Sequence, residues 1–261
     1  MGKASRRKKE HRLRKTPQRQ ASPQPGASQL RSPPSPGQAP SLPQLIRLDP
    51  RTPDVLYRFF DNEEHANALA RGQVWISTLE VCRNHEEQGR RDSGEGELTY
   101  NTGFIQGDGD NPAVREVAAR TGIFLGDNVR NITLNNNTHY QRLPDAWVLC
   151  TTEEYRAEGI EGIGRYCVRI DSPDEFFRHV SAALHETRGI REAVLGRIRY
   201  SAREYRSLEP IPGPIGFVKP PDVYANQKEV RMLWIPKCHG ESIGPTLVQS
   251  RSITKLCARI A

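Results

Sequence analysis

DVYANQKEVRMLW, residues 222–234, is the stretch on which the fold turns. Its β-branched and aromatic residues predict a strand, and successive side chains of a strand point to opposite sides. Val230, Met232 and Trp234 are therefore expected to pack, while Gln227, Glu229 and Arg231 share the other face. A polar face of this kind has two uses. Either it is solvated and laced by cross-strand ion pairs, or it meets a ligand.

Outward from that stretch the chain carries further strand and helix signals. DVLYRFF (54–60) has strand composition, and DNEEHANALARG (61–72) follows with Asp61 as the expected N-cap, Glu64 three residues on and Gly72 as a stop. QVWIST (73–78) begins a second strand at once. Residues 79–109 are polar and read as a surface excursion that opens with a helical turn. NPAVREVAARTG (111–122) predicts a helix started by Asn-Pro and stopped by Gly122. NVRNITLNNNTHYQRL (128–143) reads as a hairpin around residues 135–137, and DAWVLCTT (145–152) and GRYCVRI (164–170) as strands. SPDEFFRHVSAALHETRG (172–189) has a Ser172/Glu175 capping box, Pro173 at the first helical position and apolar residues at Phe176, Phe177, Val180, Ala183 and Leu184, which predicts a helix. AVLGRIRYS (193–201) and SITKLCARI (252–260) complete a strand-rich second half. The expectation is one α+β domain over residues 47–261, with a mixed or antiparallel split sheet or sandwich and a few short helices.

Residues 1–46 differ in kind. They hold eight of the 20 prolines, much Ser and Gln, and ten Lys and Arg against Glu10 alone. Too little apolar surface is present to offset the entropy of ordering, so a disordered basic tail is expected. The tail's charge of +9 leaves −2 of the chain's total of +7 on residues 47–261, so the basic character belongs to the tail and not to the domain. Eight Lys and Arg within residues 1–15 predict weak, salt-sensitive polyanion binding there. No apolar run approaches the roughly 18 residues that span a bilayer, and MGKASRRKKEHRLRK is followed by Pro and Gln, not by a signal-peptide core. A cytoplasmic protein without a membrane partner is the expectation.

Five cysteines, Cys82, Cys150, Cys167, Cys238 and Cys257, are scattered without a Cys-x-x-Cys pair, which argues for reduced thiols over a disulfide framework or zinc ribbon. Cys82 and His85 have a metal-like spacing, but no second ligand pair stands near them, and zinc takes a set of four positions. There is no P-loop, no Gly-rich dinucleotide fingerprint and no Gly-x-Ser-x-Gly elbow.

Three short elements, in order, carry a resemblance: Arg58 in LYRFF, Ser77-Thr78 in VWIST, and Tyr224, Gln227 and Glu229 in YANQKE. Together they look like the Arg, Ser-Thr-Ser and aromatic-x-x-Gln/Glu-x-Glu motifs of ADP-ribosyltransferases of the Arg-Ser-Glu type. The chain departs from that pattern at Leu79, where the third hydroxyl of the Ser-Thr-Ser element is missing. Residues 55–260 are also similar in rhythm to an uncharacterised bacterial domain group, with Cys150-Thr151 and residues 227–231 at the matching places.

The resemblance implies an ADP-ribosyltransferase-like fold and NAD as substrate, with ADP-ribose passed to a protein or nucleic-acid acceptor or to water. Glu229 would stabilise the cation that develops on the ribose, and Arg58 would offer the diphosphate a planar fork. Ser77 and Thr78 would hold the cofactor geometry, Gln227 would meet the acceptor and Tyr224 would stack on substrate. A second reading stays open beside it: a binding protein without catalysis, docked on RNA, ribosomes or DNA by its basic tail.

Overall fold

Proline, glycine and strand-forming runs cut the chain into short elements, which a computed structural model describes for residues 43–86, 91–237 and 243–261. The tail expected over residues 1–46 lies outside the described residues up to residue 42. Its last residues belong to the domain. In chain order the elements are β1 (Gln44–Arg47), β2 (Val55–Phe60), α1 (Glu63–Ala70), β3 (Gln73–Thr78), α2 (Leu79–Arg83), β4 (Glu97–Asn101), β5 (Phe104–Gly107), α3 (Pro112–Ala119), β6 (Ile132–Asn135), β7 (Thr138–Arg142) and β8 (Trp147–Thr152). They continue with β9 (Tyr166–Asp171), α4 (Pro173–Arg188), β10 (Ile190–Arg197), β11 (Arg199–Tyr200), β12 (Glu204–Arg206), β13 (Val218–Lys219), α5 (Pro221–Tyr224), β14 (Glu229–Pro236), β15 (Thr246–Gln249), α6 (Arg251–Thr254) and β16 (Cys257–Arg259). The fold is mixed α and β, mostly sheet, as expected.

The largest sheet has nine strands, in the order β1-β10-β14-β8-β2-β9-β16, with β3 and β15 as a branch. All its pairings are antiparallel except β1 with β10. The branch point is β8. At one end its Thr152 pairs with Tyr57 of β2; at the other, Val148 and Trp147 pair with Ser77 and Thr78 of β3. The sheet therefore forks, and β2 and β3 diverge from a shared neighbour. Gly72 lets the chain turn from α1 into β3: at φ +80 it lies so close to Ser250 that a Cβ would come within 2.6 Å of the Ser250 carbonyl oxygen.

α4 covers one face of the sheet, where its Phe176, Phe177, Val180 and Leu184 join Val230, Met232 and Trp234 of β14 in the main core. The Trp234 ring lies 5.9 Å from that of Phe177, and its indole N–H donates to Ser181 Oγ at 2.8 Å. The expected inward set of β14 thus packs. The opposite face is also covered: Leu233 and Ile235 join Leu79, Val148, Val194, Ile198 and Phe217 in a second core. β14 lies between β10 and β8 and is buried along its whole length, so no wet face exists.

Several expectations need correction. Only part of the 222–234 stretch is strand. Pro221 opens the helical turn α5, Ala225–Gln227 continue as a 3₁₀ turn, Lys228 takes a left-handed conformation at φ 46, and extended structure begins at Glu229. Consecutive prolines at 220 and 221 favour that turn, because a proline fixes φ and needs no N–H at a first helical position. The hairpin expected over 128–143 does not form: β6 pairs with β5 and β7 with β4, with Asn136 at φ 53 between them. Both partners come from the polar 79–109 stretch, whose Leu98 and Tyr100 reach a third core with Val117, Ala118 and Leu134.

Smaller differences concern helix ends and strand lengths. Asn62, not Asp61, caps α1 through Oδ1, which accepts from Glu64 N at 2.8 Å. Ser172 takes φ 48 and makes no side-chain capping bond, so α4 starts on backbone bonds from Glu175 and Phe176 to the Ser172 carbonyl. The terminal strand shrinks to Cys257–Arg259 after the turn α6. The sheet also gains an N-terminal strand, since Gln44–Arg47 pairs in register with residues 192–195, three residues before the expected domain start at 47. Among the described residues no helix is long and apolar enough to cross a membrane.

Candidate functional site

A cleft of about 720 Å³ opens where β2 and β3 part. Arg58 and Phe60 line it from β2, Trp75 and Ser77 from β3, and Cys150 from β8. Glu229 and Arg231 form part of its floor, and Gln227 reaches it from the turn before β14. Four of the expected site residues, Arg58, Ser77, Gln227 and Glu229, are therefore brought together. Gln227 arrives by the turn and not by strand alternation.

Thr78 and Tyr224 are not brought in. Alternation turns Thr78 away from Ser77, and its Oγ1 accepts from Val81 N at 3.3 Å as the N-cap of α2. The Tyr224 ring is buried beneath Lys219 Nζ, 4.8 Å from its centroid, and its hydroxyl donates to the Arg91 carbonyl at 2.6 Å. Tyr224 anchors the 91–97 segment, not a substrate.

The floor is a network of four buried charges. Arg231, with no exposed surface, donates from Nε to Glu229 Oε1 at 2.8 Å and from Nη1 and Nη2 to Glu95 Oε1 and Oε2 at 2.5 and 2.9 Å. Its Nη1 also donates to the Gly216 carbonyl at 2.6 Å. Lys219 Nζ donates to Glu229 Oε2 at 2.6 Å and stands 3.9 Å from Glu95 Oε2. Two carboxylates thus face two cations, and the cluster is neutral. That balance is what a buried group requires, because an unpaired charge out of water costs several kcal/mol.

Burial by itself would raise the Glu229 carboxyl, but Arg231 and Lys219 outweigh it and hold the group down at about 2. Glu229 is therefore ionised at neutral pH. A carboxyl held below its ordinary value binds fewer protons folded than unfolded, so its contribution to stability is complete above about pH 4.5 and is lost as the pH falls towards about 2. The urea midpoint of the wild-type domain should fall across that window, and more steeply than that of Glu229→Gln. Equal slopes for the two proteins would show that Glu229 is not paired in solution.

Burial pushes the Cys150 thiol well above its ordinary value and, with Glu95 adding to it, the Cys82 thiol up to about 11. Both border the cleft as neutral thiols and not as nucleophiles. Cys82 and His85 do line the same cleft, but among the described residues no group of three or more His, Cys, Asp and Glu is placed to hold a metal ion.

Glu95 and Lys219 were not expected. Composition alone marks 82–97 as solvated, yet Arg83, Asp92 and Glu95 are buried. Arg203 grips both Asp92 oxygens, with Nη1 on Oδ1 at 2.6 Å and Nη2 on Oδ2 at 2.5 Å, and Arg83 Nε donates to the Glu95 carbonyl at 2.8 Å. These bonds turn a charged segment inward. Residues 87–90 of that segment, and the polyanion-binding stretch 1–15, lie outside the described residues.

Arg58 stands at the mouth. Its Nη2 donates to the Trp75 carbonyl at 3.2 Å, and its guanidinium carbon lies 5.1 Å from the centre of the Phe60 ring. The cleft thus has apolar side chains on its walls, Arg58 at its mouth and the neutral network of Glu95, Lys219, Glu229 and Arg231 at its floor. Comparison of the chain with family models, curated proteins and solved structures found no match.

Proposed function

We propose that the domain binds NAD in this cleft and breaks its nicotinamide–ribose bond, passing ADP-ribose to a protein or nucleic-acid acceptor or to water. The observation that carries this reading is the convergence of Arg58, Ser77, Gln227 and Glu229 on one cleft at the fork of the sheet. It supports the ADP-ribosyltransferase-like reading, because residues far apart in sequence line the same cleft.

The bonding pair leaves with nicotinamide, and positive charge develops on the ribose. Glu229, ionised and fixed by Arg231 and Lys219, stabilises that charge without reorganising. Arg231 donates to one oxygen of the carboxylate and Lys219 to the other, and the Cys150 thiol also bonds to it, so the group is held fixed from several sides. Arg58 binds the diphosphate, Ser77 positions the ribose end, and Gln227 orients the attacking nucleophile, which bonds to the ribose carbon that nicotinamide has left and releases its proton to water. The cost of this arrangement is that the two cations offset part of the field that Glu229 exerts. Transfer in a cleft lined by Phe60, Val148 and Leu247 excludes much of the water that would weaken it further.

The test is NAD consumption by the full chain, with free nicotinamide measured directly. Arg58→Ala should raise the KM for NAD at least about tenfold while kcat changes little, since a diphosphate contact is made equally in ground and transition states. Wild-type protein that neither binds nor consumes NAD would overturn the reading.

A further inference from the structure

β8 and β9 flank β2 in the sheet, so the connection between them, residues 153–165, crosses β2. It leaves beside Tyr57, which pairs with Thr152 at the end of β8, and rejoins beside Phe60, which pairs with Tyr166 at the start of β9. The crossing is packed. Ile160 is buried with Phe59 and Cys167, and the Tyr155 ring lies 5.5 Å from that of Tyr57. Gly164 passes so close to β2 that a Cβ there would fall 2.0 Å from the Phe60 carbonyl carbon. Ile163 of the same segment lines the cleft, so the connection is seated on the strand that carries Arg58 and shares its cavity.

The turn that brings Gln227 into the cleft is tied to this connection on both sides of residue 227. The Asn226 carbonyl accepts from Arg156 Nη2 at 2.5 Å, and the Lys228 carbonyl accepts from Glu153 N at 3.2 Å. Glu154 Oε2 accepts from the same Arg156 nitrogen at 3.0 Å and aims the guanidinium. A charged donor makes the stronger hydrogen bond, so Arg156 is the firmer of the two ties. Lys228 meanwhile keeps φ 46, a left-handed conformation that a residue with a Cβ holds only where its surroundings fix it. We infer that Arg156 is a positioning residue: by holding the Asn226 carbonyl it fixes the 225–228 turn against the crossing segment and sets where Gln227 stands in the cleft. That Gln227 then orients a nucleophile rests on the NAD reading; that Arg156 holds the turn does not.

Hydrogen–deuterium exchange of the full chain tests the hold directly. Arg156→Ala should speed exchange across residues 225–228 about tenfold or more, the scale of losing a hydrogen bond to a charged group, while α4 exchanges as in wild type. Arg156→Lys should restore part of the protection, because an ammonium still donates to the carbonyl. Cleavage of NAD with methanol as a small acceptor gives the second readout: the methanol or a water oxygen bonds to the ribose carbon, nicotinamide leaves with the bonding pair, and the proton passes to water. The ratio of methyl ADP-ribose to ADP-ribose should fall by the same factor in Arg156→Ala and Gln227→Ala. The double variant should match Gln227→Ala alone, because a residue that acts through another adds nothing once that other is gone. Unchanged exchange at 225–228 in Arg156→Ala overturns the proposal, and a further fall of the ratio in the double variant overturns the assignment to Gln227. Wild-type protein that releases no nicotinamide overturns the NAD reading alone, and exchange still decides whether Arg156 holds the turn.

Discussion

Arg231→Met should lower the stability of the domain by about 3–5 kcal/mol, the usual cost of leaving buried charges without their partner. For a domain of this size each kcal/mol moves the melting temperature by roughly 2–4 °C, so a fall of about 6–20 °C is expected. The size of the effect comes from geometry. The guanidinium bridges Glu229 and Glu95 and also serves the Gly216 carbonyl, so its loss leaves both carboxylates short of a cation and one carbonyl short of a donor. Lys219 alone would face both acids. Arg231→Lys should recover only part of the loss, because an ammonium cannot span two carboxylates as a planar fork does. Thermal melting followed by circular dichroism reads both variants; a change below about 1 kcal/mol in Arg231→Met would show that the network does not hold β14 to the 91–97 segment.

Glu229→Gln should reduce NAD turnover at least about a hundredfold, the scale of removing a preorganised electrostatic partner from a developing charge. If Glu229 stood on a wet strand face, the same change would leave folding almost untouched. Buried between Lys219 and Arg231, it will not: the amide leaves two cations with Glu95 as the remaining acid of the cluster, and a loss of several kcal/mol is expected alongside the loss of rate. Turnover must therefore be measured well below the variant's melting temperature, with the folded fraction read by circular dichroism. Gln227→Ala supplies the comparison. Its side chain comes from the turn before β14, and its loss should lower transfer to an acceptor more than NAD hydrolysis. A fully folded Glu229→Gln protein that turns over NAD at the wild-type rate would remove Glu229 from the chemistry.

Local patterns determined a large part of this fold. Alternation placed Val230, Met232 and Trp234 on the side that α4 covers, and it placed Glu229 and Arg231 together on the other. Helix signals found α1, α3 and α4, because Asn-Pro and Ser-Pro starts and glycine stops act within a few residues. What alternation could not show is how many layers a strand meets. β14 has covered faces on both sides because it lies in mid-sheet between β10 and β8, and strand order follows from long-range pairing and not from local composition. For the same reason the polar face became a buried ion network and not a wet one.

Arg58, Ser77, Gln227 and Glu229 were singled out in the sequence by the resemblance to three short motifs, and all four line one cleft. Glu95 and Lys219 were not, because the charged run around the one and the Phe-Val-Lys-Pro-Pro context of the other read as ordinary surface. Only pairing 136 residues apart gives Glu95 its partner in Arg231, and only the ten-residue return from Lys219 to Glu229 completes the cluster. The sequence by itself determined which residues could pack, cap and carry charge, since those are properties of side chains and near neighbours. Tertiary structure decided which charges are buried, which partners neutralise them and that β2 and β3 part to leave a cleft, because desolvation and strand order are properties of the whole chain folded on itself.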